Sequence, residues 1–356
     1  MSGVTTPELV AAASNAGGLG ILGAGRMLPN QILDAIHKIK KLTNHTYGVN
    51  LLLAPPEKKE ADKDIFNVQQ FLDNKFRQKF GLSPKSNQKT GITLPSSILL
   101  EQLRVIVDEK VPLVSFAMGD LVKHVEQIHS TGAKVMSMVT TVEEAINVVR
   151  NGTDIVVVQG AEAGGHRSTF DTNPDEEIPL IGTMPLVPQV VDAIKKEGRP
   201  AQDIPVVAAG GITDGRGLAA VLALGASGAM LGTRFLVAKE SGAFKAYQER
   251  LLSAKETDTV VTRIFTGRPA RGLRNSFVHE YLKSGSKPLA WPIQALAAND
   301  IYAAAQQQNN AEYFPLLAGQ GLRMLKKGQS AAEIIQEIMA EAKQCSSILN
   351  QMLVPS

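Results

Sequence analysis

The residues of this 356-residue chain best placed to do chemistry lie between Asp154 and Thr169, in the segment DIVVVQGAEAGGHRST. The apolar run Ile155 to Val158 gives way to Gln159 and Gly160, a short acidic stretch, Gly164 and Gly165, and then His166, Arg167 and Ser168. This is a buried strand delivering polar groups to its own C-terminal end. Glycines, with no Cβ, let backbone approach a flat or anionic group closely. A histidine beside them gains or loses a proton near neutral pH. The pattern is that of a cofactor site.

Two other strand ends carry glycines in polar company: Gly210 and Gly211 in AAGGITDGRG, and Gly232 with Thr233 in MLGTRF. In barrel enzymes the last two strand ends bind phosphate through backbone N–H groups and helix N-termini. Two such ends on successive strands, with the Thr233 hydroxyl available, point to phosphate. Of the six histidines, only His166 has this setting. His37, His45, His124 and His129 lie on or beside helical segments and read as surface or packing residues; His279 is open to either reading. No second histidine or carboxylate stands at metal-ligand spacing from His166, so no metal is expected. Arg268, Arg271 and Arg274 either hold an anion or complete a surface, with the second slightly preferred. There is no G-x-S-x-G elbow to support a serine nucleophile.

The elements that must position these groups alternate. Thr6 as N-cap, Pro7 and Glu8 start a helix that runs to a glycine stop at Gly17. Gly18 to Gly25 is a short strand, Pro29 to Leu42 a helix with Ile32, Leu33, Ile36 and Ile39 on one face, and Tyr47 to Leu53 a strand. Residues 54–93 contain Pro55, Pro56, the solvated charge run EKKEADKD and a helix near Val68 to Phe80; they read as an insertion. From Pro95 come a helix to Glu109, a strand at Pro112 to Ala117, a helix at Asp120 to Ser130, a strand at Lys134 to Val139 and a helix at Val142 to Arg150. The strand Asp154 to Val158 follows, then a long loop, Ala161 to Thr183, holding Asp171, Asn173, Asp175, Glu176 and Glu177. A helix at Leu186 to Glu197, a strand at Ile204 to Ala208, a helix at Gly217 to Leu224 and a strand at Gly228 to Leu231 complete the series. This alternation favours parallel strands joined by right-handed crossovers. An open doubly wound sheet lacks its phosphate signal: Gly18, Gly20 and Gly23 have the G-x-G-x-x-G spacing but precede and occupy a strand instead of opening a helix. Past Ala254 the texture changes, with Thr259 to Thr266 as an isolated strand, an arginine- and glycine-rich stretch to Phe277, and helices at Ile293 to Gln307 and Ser330 to Leu349.

Composition bounds the rest. Hydrophobic residues at 44% and charged residues at 20% are ordinary for a globular chain of one large α/β domain plus an appendage. The net charge of +3 is too small to argue for nucleic acid. The single cysteine, Cys345, allows no internal disulfide and fits a reducing compartment. No apolar run reaches the roughly 18 residues of a membrane span, and the first residues lack signal-peptide regions. A cytoplasmic protein with no nucleic-acid or membrane partner is the expectation.

Together the segments TTPELVAAASNAGGLGILGAG, YGVNL, VSFAMG, VVQGAEAGGHR, AAGGITDGRGLAAVLALGASGAMLGTRF, GRPARGLRN, WPIQ and LLAGQG resemble the nitronate monooxygenases, formerly 2-nitropropane dioxygenases, of the bacterial and fungal type. The resemblance runs along essentially the whole chain. It implies a TIM-type (β/α)8 barrel that binds FMN, over residues 1–254, and a smaller, mainly helical α/β second domain. Residues 255–356 would be the substrate or lid region, with C-terminal helices partly packing on the barrel. It further implies that Asn50, Gln159, Gly164, Gly165, Gly210, Gly211, Met230, Leu231, Gly232 and Thr233 contact FMN. His166 would stand beside the flavin ring as catalytic base or substrate-positioning group. The implied reaction takes an alkyl nitronate of the propionate 3-nitronate type, with O2, to a carbonyl compound and nitrite, and a homodimer is the assembly considered.

In one respect the chain departs from the pattern. Relatives carry a strand before the first helix, ending in a segment similar to APM, and Met1 aligns with that methionine. The barrel is therefore expected to lack its first strand and to expose two sheet edges. Two rivals stand beside the first reading: a flavin-dependent enoyl-ACP reductase using NAD(P)H, which shares the GGH segment and the glycine strand ends, and a truncated, inactive flavoprotein relative.

Overall fold

Side chains along a strand alternate between two faces, and here both faces are buried, so the strands build a wall whose inner side and C-terminal rim carry the site. The computed structural model describes residues 3–53, 60–86, 97–120, 122, 124–172, 177–197 and 204–353. Pro55, Pro56, the start of the charge run, Pro95, and the loop residues Asn173, Asp175 and Glu176 lie outside them.

The strands are β1 (Gly20–Gly23), β2 (Tyr47–Leu52), β3 (Leu113–Ala117), β4 (Lys134–Val139), β5 (Ile155–Gln159), β6 (Gly165–His166), β7 (Val206–Ala209), β8 (Gly228–Met230), β9 (Thr259–Thr262) and β10 (Ala270–Leu273). Around them lie α1 (Pro7–Asn15), α2 (Pro29–Leu42), α3 (Asp62–Leu72), α4 (Gln78–Phe80), α5 (Ser97–Asp108), α6 (Val125–His129) and α7 (Val142–Arg150). Then follow α8 (Thr183–Lys196), α9 (Gly215–Ala223), α10 (Thr233–Leu236), α11 (Lys245–Ser253), α12 (Ser276–Ser284), α13 (Ile293–Gln307) and α14 (Ala331–Leu353).

Seven parallel strands, in the order β1-β2-β3-β4-β5-β7-β8, curl into the wall of a TIM-type barrel with the helices outside. Val49, Leu51, Val114, Phe116 and Val135 turn outward onto Ile32, Ile36 and Ile39 of α2 and Leu103 and Ile106 of α5. Val156 and Val158 do the same against Val187, Val190 and Val191 of α8. The alternate residues Leu113, Met136, Val157 and Ala209 fill the inside. Each such side chain stabilises the fold by about 1.5–3 kcal/mol when taken out of water, so a two-sided wall is held mainly by its own strands' apolar content. By the same alternation Asn50, between Val49 and Leu51, and Gln159, after Val158, face inward.

The sheet's edges are β1 and β8. Thr5 and Thr6 link the two sides: the Gly23 amide donates to Thr5 Oγ1 at 2.7 Å, and Thr6 Oγ1 donates to the Glu240 carbonyl at 2.6 Å. Helix α14 packs Ala331, Ile334, Ile338 and Ala342 against Leu9 of α1 and Leu218 of α9.

A second sheet, antiparallel and in the order β6-β10-β9, sits over the C-terminal end of β5. The expected isolated strand near Thr259 is therefore not isolated. It ends at Thr262 and pairs with β10, whose Ala270 and Arg271 in turn pair with His166 and Gly165. Sequence patterning missed β6 and β10 because two- and four-residue strands are too short to show a period. Behind this sheet, Phe265, Phe277, Tyr281, Ile301 and Tyr302 form one core with Val68, Leu72 and Phe76. The insertion helix α3 thus packs on the C-terminal part of the chain. Arg77, fully buried, joins them through Asp73 at 2.7 Å and Asp300 of α13 at 2.8 Å.

Two further expectations are corrected. The helix expected over Asp120 to Ser130 is confined to α6. Arg268 and Arg271, read as completing a surface, are 0% and 8% exposed; both donate to backbone carbonyls of the loop that follows β5, and Arg271 also to Thr259 Oγ1.

Candidate cofactor and substrate site

The loop after β5 is pinned across the C-terminal ends of three strands. Gln159 Nε2 donates to the His166 carbonyl at 2.9 Å, and Gln159 Oε1 accepts from the Ser168 amide at 2.9 Å. Ser168 Oγ donates to the Met138 carbonyl at 3.0 Å and accepts from the Met118 amide at 3.0 Å. That contact sits where Met118 has a left-handed φ of 68°, a conformation uncommon for a non-glycine residue. Glu144 accepts from Thr140 and its amide at 2.9 and 2.6 Å, and from Thr169 Oγ1 and the Phe170 amide at 2.9 and 2.7 Å. The loop is therefore long in sequence but held rigidly through its first half.

Buried arginines complete the bracing. Arg167 Nη1 donates to the Gly160 carbonyl at 2.7 Å and Nη2 to the Gln159 carbonyl at 3.2 Å. Arg268 Nε donates to the Arg167 carbonyl at 3.3 Å, and its Nη2 donates to the Thr169 carbonyl. Arg271 Nε donates to the Ala161 carbonyl at 2.9 Å. Burial pushes the Arg167 and Arg268 guanidinium groups down to about 10, so both stay charged at neutral pH. Their partners are carbonyl dipoles. The field of these cations is felt across the site, where the low dielectric leaves it little screened.

His166 stands inside that field. Its Nε2 is 2.8 Å from Thr266 Oγ1, and the edge of Trp291 lies against the imidazole at 5.3 Å between ring centroids, tilted 70°. The residue as a whole is partly exposed although the imidazole is set deep in the protein. Burial, and then the charges of Arg268 and Arg26, push its pKa down to about 3. The imidazole is neutral at physiological pH, with one N–H and one lone pair to offer.

The glycine ends fall into two groups. The register Ala209↔Met230 sets the ends of β7 and β8 side by side, bringing Gly210 and Gly211 next to Leu231, Gly232 and Thr233. Gly210 and Gly211 have φ of +111° and +74°, and a Cβ on Gly211 would meet the Glu162 side chain at 3.3 Å. Gly165, with φ of +83°, has no atom within 4 Å of where a Cβ would stand, so it presents open backbone. Gly164 serves packing instead: a Cβ there would lie 2.4 Å from the Gly319 nitrogen. Asn50 sits on the other half of the wall, its Nδ2 donating to Ser115 Oγ and the Ser115 carbonyl at 3.3 Å each.

Sequence reasoning missed several parts of this arrangement. Leu316 to Gly321 crosses the site, with the Gly319 amide donating to Thr233 Oγ1 at 2.9 Å and the Gln320 amide to the Glu162 carbonyl at 3.1 Å. Glu162 also receives Thr183 Oγ1 at 2.9 Å and the Thr183 amide at the start of α8, where a carboxylate offsets the helix dipole. Thr266 and Trp291 come from segments 100 and more residues downstream of His166. Trp291 opens the WPIQ segment of the resemblance, but nothing local places it or Thr266 beside His166, because only the second sheet and the segment leading into α13 bring them there.

The family model described as nitronate monooxygenase matches residues 1–341. A probable nitronate monooxygenase of Staphylococcus saprophyticus is 39% identical over 353 residues, covering 99% of this chain and 94% of that protein. One of Staphylococcus haemolyticus is 36% identical, covering 96% and 92%. Among solved structures, a nitroalkane oxidase from Streptomyces ansochromogenes superposes with a TM-score of 0.88 at 33% identity, covering 98% of this chain and 94% of that one. FabK from Thermotoga maritima does so with a TM-score of 0.75 at 30% identity, covering 99% and 94%. Among the described residues no helix is long and apolar enough to cross a membrane.

Proposed function

The chain belongs to the nitronate monooxygenase family, and on that premise we propose that it is an FMN-dependent oxidoreductase converting alkyl nitronates of the propionate 3-nitronate type, with O2, to a carbonyl compound and nitrite. The observation that carries this reading is the pair Arg167 and Arg268, fully buried and bonded to backbone carbonyls, beside a histidine held neutral. Such a site favours an anion. A nitronate is one, whereas its parent nitroalkane is not.

The residues present fit FMN. Gly210, Gly211, Gly232 and the Thr233 hydroxyl would hold the phosphate, as glycine-rich ends of the last barrel strands do. Gly165 offers an open, side-chain-free surface for a flat ring, with Asn50, Met230 and Leu231 completing the cradle. Gln159 has one amide N–H left after bracing His166 and Ser168, and Gly164 acts by letting the Ala318–Gly319 backbone close on the site. FMN, when bound, supplies redox chemistry that amino-acid side chains lack. The protein's part is to attract the anion, orient it beside His166 and exclude water. Residues 255–356 supply the substrate side through Arg268 and Trp291, with the Thr266 hydroxyl bonded to the imidazole.

The purified protein should be yellow, release FMN on denaturation, and consume O2 with propionate 3-nitronate in the absence of NAD(P)H. The second reading, a flavin-dependent enoyl-ACP reductase, rests on the shared GGH segment and glycine strand ends. NADH oxidation coupled to enoyl-thioester reduction, with no nitronate-dependent oxygen uptake, would decide for it.

A further inference from the structure

The hydroxyl of Thr266 has two partners. His166 Nε2 is 2.8 Å away and the Arg268 carbonyl oxygen 3.4 Å. Thr266 is 5% exposed, so its one proton is shared out among these groups. A carbonyl only accepts. If the hydroxyl donates to Nε2, the buried Arg268 carbonyl loses a donor and the hydroxyl's lone pairs go unused. If it donates to the carbonyl, its lone pair takes Nε2–H and both contacts are kept, which is the less costly arrangement. The turn that carries Thr266 is fixed from outside the site. Tyr302 Oη donates to the Phe265 carbonyl at 2.9 Å, Gln294 Nε2 to the Ile264 carbonyl at 3.0 Å, and the Gly267 amide to the Arg263 carbonyl at 2.7 Å. A Cβ on Gly267 would lie 2.4 Å from the Leu289 carbonyl oxygen, so the turn is also pressed onto the segment that brings Trp291 to the imidazole.

We propose that Thr266 is a positioning residue that fixes His166 as its Nε2–H tautomer, so that the Nδ1 lone pair is the group presented to the substrate. Nδ1 has no hydrogen-bond partner among the described residues. The charged side chains acting on the ring are Arg268 and Arg26. What Nδ1 meets rests on the proposed function: with a neutral nitroalkane, the α C–H bond breaks, its electron pair becomes part of the C=N bond of the nitronate, and the proton forms a bond to Nδ1. A substrate that enters already as the nitronate needs no such transfer. Thr266 therefore governs use of neutral nitroalkanes and leaves use of nitronates largely untouched.

The tautomer is read directly in the holoenzyme labelled with 15N-histidine, with His166 assigned by the signals lost in His166→Asn. The expected spectrum has a pyridine-type Nδ1 and a pyrrole-type Nε2; a predominant Nδ1–H form overturns the proposal. In Thr266→Val the two tautomers should mix, and kcat/KM for a nitroalkane should fall by about ten- to a hundredfold while kcat/KM for the nitronate stays within about twofold. Thr266→Ser should restore both the tautomer and the nitroalkane rate. An unchanged tautomer in Thr266→Val, or an equal loss with both substrates, refutes the positioning role. Because the spectrum does not depend on turnover, a protein that oxidises no nitronate would refute the proposed function and leave the tautomer assignment standing.

Discussion

Gln159 donates to the carbonyl of His166 at 2.9 Å while taking the amide of Ser168 on its other end. One side chain thus sets the path of the backbone on both sides of the imidazole. Gln159→Leu keeps the volume and removes both bonds, leaving two buried backbone groups unpaired at about 1–3 kcal/mol each. Urea unfolding should show a lowered midpoint with an unchanged slope. A midpoint equal to that of the parent protein would mean that the loop is held by Arg167 and Glu144 alone.

His166→Asn removes the imidazole but keeps a hydrogen-bonding group of similar reach. FMN content should be retained and turnover of a neutral nitroalkane should drop by about a hundredfold or more. An unchanged rate would take His166 out of the reaction.

The same histidine should make the fold acid-sensitive. In the folded protein its pKa is pushed down to about 3, against an ordinary value of 6.5. As pH falls below that ordinary value the unfolded chain binds a proton that the folded one refuses. Stability is therefore lost through the interval between the two values and is fully present only above it. Unfolding midpoints recorded from pH 7.5 to 5 should fall more steeply in the parent protein than in His166→Asn. Parallel curves would show that His166 titrates normally when folded.

Arg268 is the first charged group holding that pKa down, after burial itself. Arg268→Met keeps most of the side chain's packing and removes the charge. The His166 pKa, followed by NMR titration, should rise towards its ordinary value, and KM for a nitronate should rise more than kcat falls. Unaltered nitronate affinity would show that the guanidinium only braces the loop.

Neighbouring glycines should respond differently to alanine. At Gly164 the new methyl would lie 2.4 Å from the Gly319 nitrogen, forcing Leu316 to Gly321 off the site; a loss of about 1–3 kcal/mol and weakened FMN retention are expected. At Gly165 space is open and only the φ of +83° opposes the change, costing about 1–2 kcal/mol. Because a methyl on Gly165 would enter the face offered to the flat ring, FMN retention after gel filtration should fall in both variants; full retention in Gly164→Ala would show that segment 316–321 is not needed to hold the cofactor.

The sequence by itself determined the local elements and their order. Thr6, Pro7 and Glu8 mark the start of α1, the apolar stripe of Pro29–Leu42 fixes α2 to the residue, and the runs at β2, β3, β4, β5, β7 and β8 stand out because both faces of each strand are buried and both must be apolar. With the short run at β1 they make seven parallel strands. So do the glycine ends and the position of His166, since a break from apolar run to glycine and histidine is written within a few consecutive residues.

What the tertiary structure alone decided is how that histidine behaves. Its neutrality comes from burial and from Arg268, its hydrogen bond from Thr266 and its ring contact from Trp291, all of them set far along the chain from position 166. The two-residue strand β6 exists only because β10 offers it a partner. Arginines at 167, 268 and 271 look like solvated charge in a linear string. They are buried because a long loop with many carbonyls had to be folded over a strand end, and buried carbonyls require donors.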